Sequence, residues 1–168
     1  SEIAEVISQY EGTIFRQLSS HLCAVFGLED AYGDSPLRAI RAAHTVLARV
    51  AEMNGCFPNQ LACHLQAQVG ISSGQVLKRT LDQVAELFGK PISIVAHLAD
   101  LAAPGEILTD TATYRFARAI FQFVPVSPNG EPDSERFDDF YRAGAEHGSE
   151  TQSGNFVGRQ IEFDQLKV

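Results

Sequence analysis

The chain has 168 residues, 45% of them hydrophobic, which is long and apolar enough for one domain with a real core. Thirteen basic against 21 acidic residues leave a formal charge of −8, so there is no diffuse attraction to phosphate backbones and nucleic-acid binding is not expected. No apolar run reaches the roughly 18 to 20 residues that span a bilayer, and the first residues lack the basic-then-apolar layout of a secretory leader, so the expectation is a cytoplasmic protein without membrane contact.

Residues 1–10 carry Ile3, Val6, Ile7 and Tyr10 at helical spacing and stop before Gly12, which predicts a helix that the chain enters partway. In RQLSSHLCAVFG, residues 16–27, the polar Ser19-Ser20-His21 separates Ile14, Phe15 and Leu18 from Leu22, Val25 and Phe26. That pattern is two short strands around a turn. Asp34-Ser35-Pro36 starts a helix, and Leu37, Ile40, Ala43, Leu47 and Val50 form one apolar stripe until Asn54-Gly55.

In LACHLQAQVGI, alternation of Leu61, Cys63, Leu65, Ala67, Val69 and Ile71 with polar residues predicts a half-buried strand over 61–71 with Cys63 facing the core. Cys56, Cys63 and His64 match no common zinc spacing, so no metal site is expected there. Ser72-Ser73-Gly74 turns the chain, and 75–77 is expected to return as a short strand. The hairpin of residues 13–26 is expected to adjoin the 61–71 strand.

Gly89-Lys90-Pro91 opens a helix over 91–102 that stops at Ala103-Pro104-Gly105, with Ile92, Val95, Ala96, Leu98 and Ala99 on its buried side. Ser93 and His97, four apart, share a face. A strand over 106–109, a brief helix capped by Thr109 or Asp110, and strands over 120–124 and 137–141 around the turn-rich SPNGEPDSE complete the pattern. Helices interleaved with hairpins indicate an α+β sandwich.

Four stretches in this order, EGTIFRQLSSHLCAVFG, SPLRAIRAAHTVLARV, LQAQVGISSGQV and ELFGKPISIVAHLADLAAPGEILTD, resemble the class III adenylate and guanylate cyclase catalytic domains. Members of that family show a Gly-Gly-x-hydrophobic hairpin ending in Phe-Gly, an Arg-Ala-x-x-Ala-Ala helix, a Gly-Ile-x-x-Gly turn, and Gly-x-x-Val-Asn-x-Ala-x-Arg-Leu before Ala-x-Pro-Gly-Glu-Ile. The resemblance covers residues 1–142. It implies a ferredoxin-like, nucleotide cyclase-like sandwich with helices packed on a mostly antiparallel sheet, whose first strand and part of whose first helix would lie upstream of Ser1.

In that family the 3′-hydroxyl of a nucleoside triphosphate attacks its own α-phosphorus. Two divalent ions on two Asp carboxylates activate it, while Asn and Arg from a partner subunit position the ribose and stabilise charge. Carried onto this sequence, the second metal Asp falls on Ser20, the Asn on Ser93 and the Arg on His97. The first metal Asp would lie upstream. A serine hydroxyl is a poor replacement for a carboxylate at a hard cation, Ser93 is too short for the asparagine's bond, and imidazole lacks the guanidinium fork. The family's base-reading positions fall on Arg16 and Glu86, which either pair across the pocket or stand as two solvated charges.

The resemblance therefore implies a degenerate domain with no catalytic residues, no metal and no cofactor. It would act as a dimerising sensor or regulatory module in intracellular signalling, as a homodimer or heterodimer through the cyclase interface, with a weakly held nucleotide at most. The alternative is an active adenylate cyclase making cyclic AMP and pyrophosphate, alone or with a complementary subunit, and needing magnesium or manganese. Residues 143–154 read as a linker. NFVGRQIEFDQL, residues 155–166, resembles the entrance to an AAA or NB-ARC type ATPase module, which would begin at 155–168 of the same chain. The other reading of that stretch is a terminal helix from near Arg159.

Overall fold

A computed structural model of the chain describes residues 2–17, 21–28, 33–56, 65–81, 84–126 and 139–148. In order the elements are α1 (Glu2–Gln9), β1 (Gly12–Gln17), β2 (Leu22–Phe26), α2 (Ser35–Cys56), β3 (Val69–Ile71), β4 (Leu77–Leu81), β5 (Val84–Phe88), α3 (Lys90–Leu101), β6 (Ile107–Thr109), α4 (Thr111–Ala117), β7 (Phe121–Val126) and β8 (Phe140–Glu146). Among the described residues no helix is long and apolar enough to cross a membrane.

The main sheet runs β3-β6-β8-β7, with β3 and β6 parallel and the other neighbours antiparallel. A parallel pair needs a long crossover, and here β4, β5 and α3 supply it. Helices on a mixed sheet give the expected α+β sandwich. β6 is central, and all three of its residues are buried. Ile107 joins Ile40 and Ala43 of α2, Ile71, Ala117 of α4, Phe121 and Ala143 in one cluster. Leu108 points the other way, into a cluster with Leu98, Ala102 and Phe140 under α3. Complete burial of a side chain such as Leu98 or Ile40 stabilises the fold by about 2 kcal/mol each.

The apolar stripe of α2 packs as its spacing predicts, and Tyr10, just after α1, shares a hydrogen bond with Thr45 of α2 (Oη to Oγ1, 3.0 Å). Asp110 caps α4: its Oδ1 accepts from the Thr113 amide at 2.8 Å, while its Oδ2 accepts from the Ser72 hydroxyl at 2.6 Å. The Ser73 and Thr113 hydroxyls lie 2.8 Å apart. The Ser72-Ser73 turn after β3 is thus bonded to the first turn of α4, and such a cap stabilises its helix by about 1 kcal/mol.

Four expectations need correction. The strand placed at 61–71 is confined to Val69–Ile71 among the described residues. Leu65 is held instead by a side-chain amide, with Asn54 Oδ1 accepting from its N–H at 2.9 Å and Asn54 Nδ2 donating to its carbonyl at 2.8 Å. Residues 61–64, with Cys63 and His64, lie outside the described residues. The β1–β2 hairpin forms, but it stands as a separate two-stranded sheet and does not join β3.

The return strand expected over 75–77 is in fact a full hairpin. β4 and β5 pair antiparallel from Leu77↔Phe88 to Leu81↔Val84. Finally, β8 begins at Phe140 and runs to Glu146, later than the strand expected over 137–141 and past residue 142. The pairing Phe121↔Glu146 with β7 sets that end.

Candidate functional site

The candidate cleft depends on where α3 sits, and three small residues bring it close to the sheet. Gly89, at φ 146°, precedes the helix, and a Cβ there would lie 2.6 Å from the Gln75 carbonyl oxygen. Pro91 packs on Gly74. On β3, a Cβ at Gly70 would lie 2.6 Å from both the Ala99 amide nitrogen and the Val95 carbonyl oxygen, so the α3 backbone rests directly on the strand. The helix stops where the Ala102 amide donates to the Leu98 carbonyl at 3.0 Å, ahead of Pro104.

Held this way, α3 leaves Ser93 and His97 exposed on one face, as their spacing predicts. The His97 ring meets the Phe140 ring edge-on at 6.0 Å. Arg16 lies on β1 opposite Cys23, directly after a bulge at Phe15, and a bulge of this kind changes the facing of the residues that follow it. Glu86 is exposed on β5, where Arg79 is its cross-strand partner. The ion pair imagined between Arg16 and Glu86 involves a side chain outside the described residues, as does Ser20. The residues 155–168 that resemble an ATPase entrance lie outside them too.

On the face of the sheet opposite α3 stands an aromatic group that the periodicity does not reveal. Tyr114 of α4 stacks on Tyr141 at 3.9 Å, with Phe123 edge-on to both. Burial, then the Asp139 carboxylate and the Tyr114 phenol, push the Tyr141 phenol above its ordinary 10.0, and Arg115 opposes them weakly. Tyr141 therefore stays neutral through the physiological range and serves as packing, with its phenol available as a hydrogen-bonding group. The signal was present in the sequence only as three separated aromatics on three elements.

No family model matches the chain, and no curated protein does. Solved structures do. The guanylate cyclase domain of RhGC from Catenaria anguillulae in complex with GTP superposes with a TM-score of 0.71 at 16% identity, covering 87% of this chain and 79% of that one. The adenylyl cyclase CyaB from P. aeruginosa gives 0.71 at 16% identity over 91% and 80% of the two chains. A dimeric guanylyl cyclase domain of the RhoGC fusion protein from the aquatic fungus Blastocladiella emersonii gives 0.69 at 18% identity over 87% and 79%. The chain has the nucleotide cyclase fold.

Within the nucleotide cyclase fold, the described part of the candidate cleft presents hydroxyl and imidazole groups from Ser93 and His97. Both are able to donate or accept a hydrogen bond, and neither is a hard anionic ligand. Among the described residues, no three His, Cys, Asp or Glu side chains stand together so as to hold a metal ion.

Proposed function

We propose that this is a nucleotide cyclase homology domain without turnover, acting as a dimerising regulatory module. The observation that carries the reading is α3 itself. The helix is held firmly in a cyclase fold, yet its exposed face offers Ser93 and His97 at the positions that the sequence resemblance gives to an asparagine and an arginine. Ser20 stands in the same comparison for a metal-binding aspartate. A cleft altered at all three positions lacks both the electrostatic stabilisation and the positioning that the cyclisation needs.

Without the carboxylate at residue 20, divalent ions should add little to nucleotide affinity. Calorimetry with ATP and with GTP, each with and without magnesium, is expected to give affinities that differ less than about tenfold. A much larger magnesium-dependent gain would support the alternative, an adenylate cyclase whose metal is held by other residues.

Association is the remaining role, and the β4–β5 hairpin favours it. Leu77 and Phe88 pair across its base and are 75% and 47% exposed. Two large apolar side chains side by side in water suit a partner surface. Sedimentation is expected to show self-association at micromolar concentration that is lost when Leu77→Asp and Phe88→Asp are combined. A parent chain that remains monomeric at high concentration would refute the dimer.

A further inference from the structure

α2 ends on Asn54-Gly55-Cys56, and the Asn54 side chain reaches out of that last turn to the segment that leads into β3. Its Oδ1 accepts from the Leu65 amide at 2.9 Å and its Nδ2 donates to the Leu65 carbonyl at 2.8 Å. One primary amide thus copies the pairing of a neighbouring strand and clasps residue 65 to the end of the helix. The clasp needs both ends of that amide. Leu65 is 46% exposed, so water reaches the two bonds, and Gly55 is exposed with nothing within 4 Å of where a Cβ would stand.

Asparagine followed by glycine is also a reactive pair. With no Cβ on residue 55 to block the approach, the Gly55 nitrogen attacks Asn54 Cγ. The N–Cγ bond forms and the Cγ–Nδ2 bond breaks, and Nδ2 leaves as ammonia with the proton that the glycine nitrogen gives up. Water then opens the cyclic imide at either carbonyl, to aspartate or to isoaspartate. The fold restrains the first step twice. In the helix the Gly55 N–H points along the axis, so attack waits until the last turn unwinds, and Asn54 Cγ is held in place by the bonds to Leu65. That turn is a weak one: glycine disfavours helix, no basic residue stands there, and helix ends open at small cost.

We propose that Asn54-Gly55 is a deamidation site gated by the Leu65 clasp, and that the reaction then releases the clasp irreversibly. In aspartate the oxygen that replaces Nδ2 is an acceptor facing the Leu65 carbonyl, so one of the two bonds becomes a repulsion. In isoaspartate the main chain runs through Cβ and Cγ, and the carbonyl that held the Leu65 amide becomes backbone. Either product puts an anion at the negative end of the α2 dipole. The lead-in to β3 is thereby untied from α2, and β3 carries the Gly70 on which α3 rests. The site shares no residue with the candidate active face, so the inference is independent of whether the domain turns nucleotide over.

The test holds the whole chain and a synthetic peptide of residues 50–58 side by side in mildly alkaline buffer, with digestion and mass analysis at intervals. The digest separates Asn54 from Asn129-Gly130, the other such pair in the sequence. Hydrogen exchange gives the protection of the Leu65 amide in the same buffer. Asn54 is expected to react at least about tenfold more slowly in the chain than in the peptide, by a factor that follows the Leu65 protection, since both report one opening. Asn54→Asp made directly should cut that protection by about tenfold, the loss of about one hydrogen bond, and Gly55→Ala should slow the reaction in peptide and chain alike. The comparison of chain with peptide needs no variant. Reaction as fast in the chain as in the peptide would overturn the gate, and a chain still unreacted long after the Leu65 protection requires it would overturn the site. An Asn54→Asp chain with parental Leu65 protection would overturn the release.

Discussion

Ser20→Asp, Ser93→Asn and His97→Arg made together, in a chain extended upstream of Ser1, are expected to bring back magnesium-dependent cyclisation of a nucleoside triphosphate. A correctly held metal ion is worth several kcal/mol at the transition state, which is a hundredfold or more in rate. The single changes should do almost nothing. An aspartate has no ion to share unless the triphosphate is placed, and an arginine on α3 has no developing charge to meet unless the metal has activated the nucleophile. Groups that act as a unit give strongly non-additive effects. The measurement is cyclic nucleotide formed per unit time by the parent, the three single variants and the triple variant. A well-folded triple variant that neither binds nor cyclises nucleotide would mean that the cleft has lost its shape as well as its ligands.

The second large effect is structural. Gly70→Val should displace α3, because the new Cβ would meet backbone atoms of Ala99 and Val95 at 2.6 Å, with Leu98 Cβ at 2.9 Å. Backbone of a packed helix does not step aside for a side chain. Overpacking of this kind costs about 3 kcal/mol, and for a chain of this size that lowers the melting temperature by roughly 10 °C. The site should suffer with the stability, since Ser93 and His97 ride on the same helix. Leu98→Ala, which opens a cavity in the α3 cluster without pushing on the backbone, should cost about 2 to 4 kcal/mol yet leave α3 in register. Thermal melts together with amide shifts of Ser93 and His97 separate the two cases. A Gly70→Val protein with parental melting and unshifted α3 signals would contradict the close approach.

What the sequence made legible was what local chemistry decides. α2 and α3 declared themselves through stripes at helical spacing, a proline in the first turn and a Pro-Gly stop, and Asp110 could be read as a cap because its side chain bonds three residues ahead. The placement of Ser93 and His97 on one face follows from the same spacing. The misses were tertiary. Alternation over 61–71 suggested a long strand, but the Asn54 side chain takes the Leu65 backbone, an interaction between residues that no local pattern connects. The β4–β5 hairpin was hidden because the basic Lys78-Arg79 and polar Asp82-Gln83 broke an apolar pattern that continues on the far strand. Without that hairpin, the Arg79 opposite Glu86 went unseen. Arg41 of α2 and Glu146 of β8 look like ordinary surface charges until β8 is placed beside α2, where they pair.

The most direct test of the central claim is an assay of the parent chain with ATP and with GTP, in magnesium and in manganese, for cyclic nucleotide and pyrophosphate. The account predicts no product above the buffer blank under any of the four conditions, because in the proposed reading Ser20, Ser93 and His97 stand where the family resemblance implies a metal-binding aspartate, an asparagine and an arginine. Sustained formation of cyclic AMP with equimolar pyrophosphate, abolished by Arg16→Ala, would contradict it.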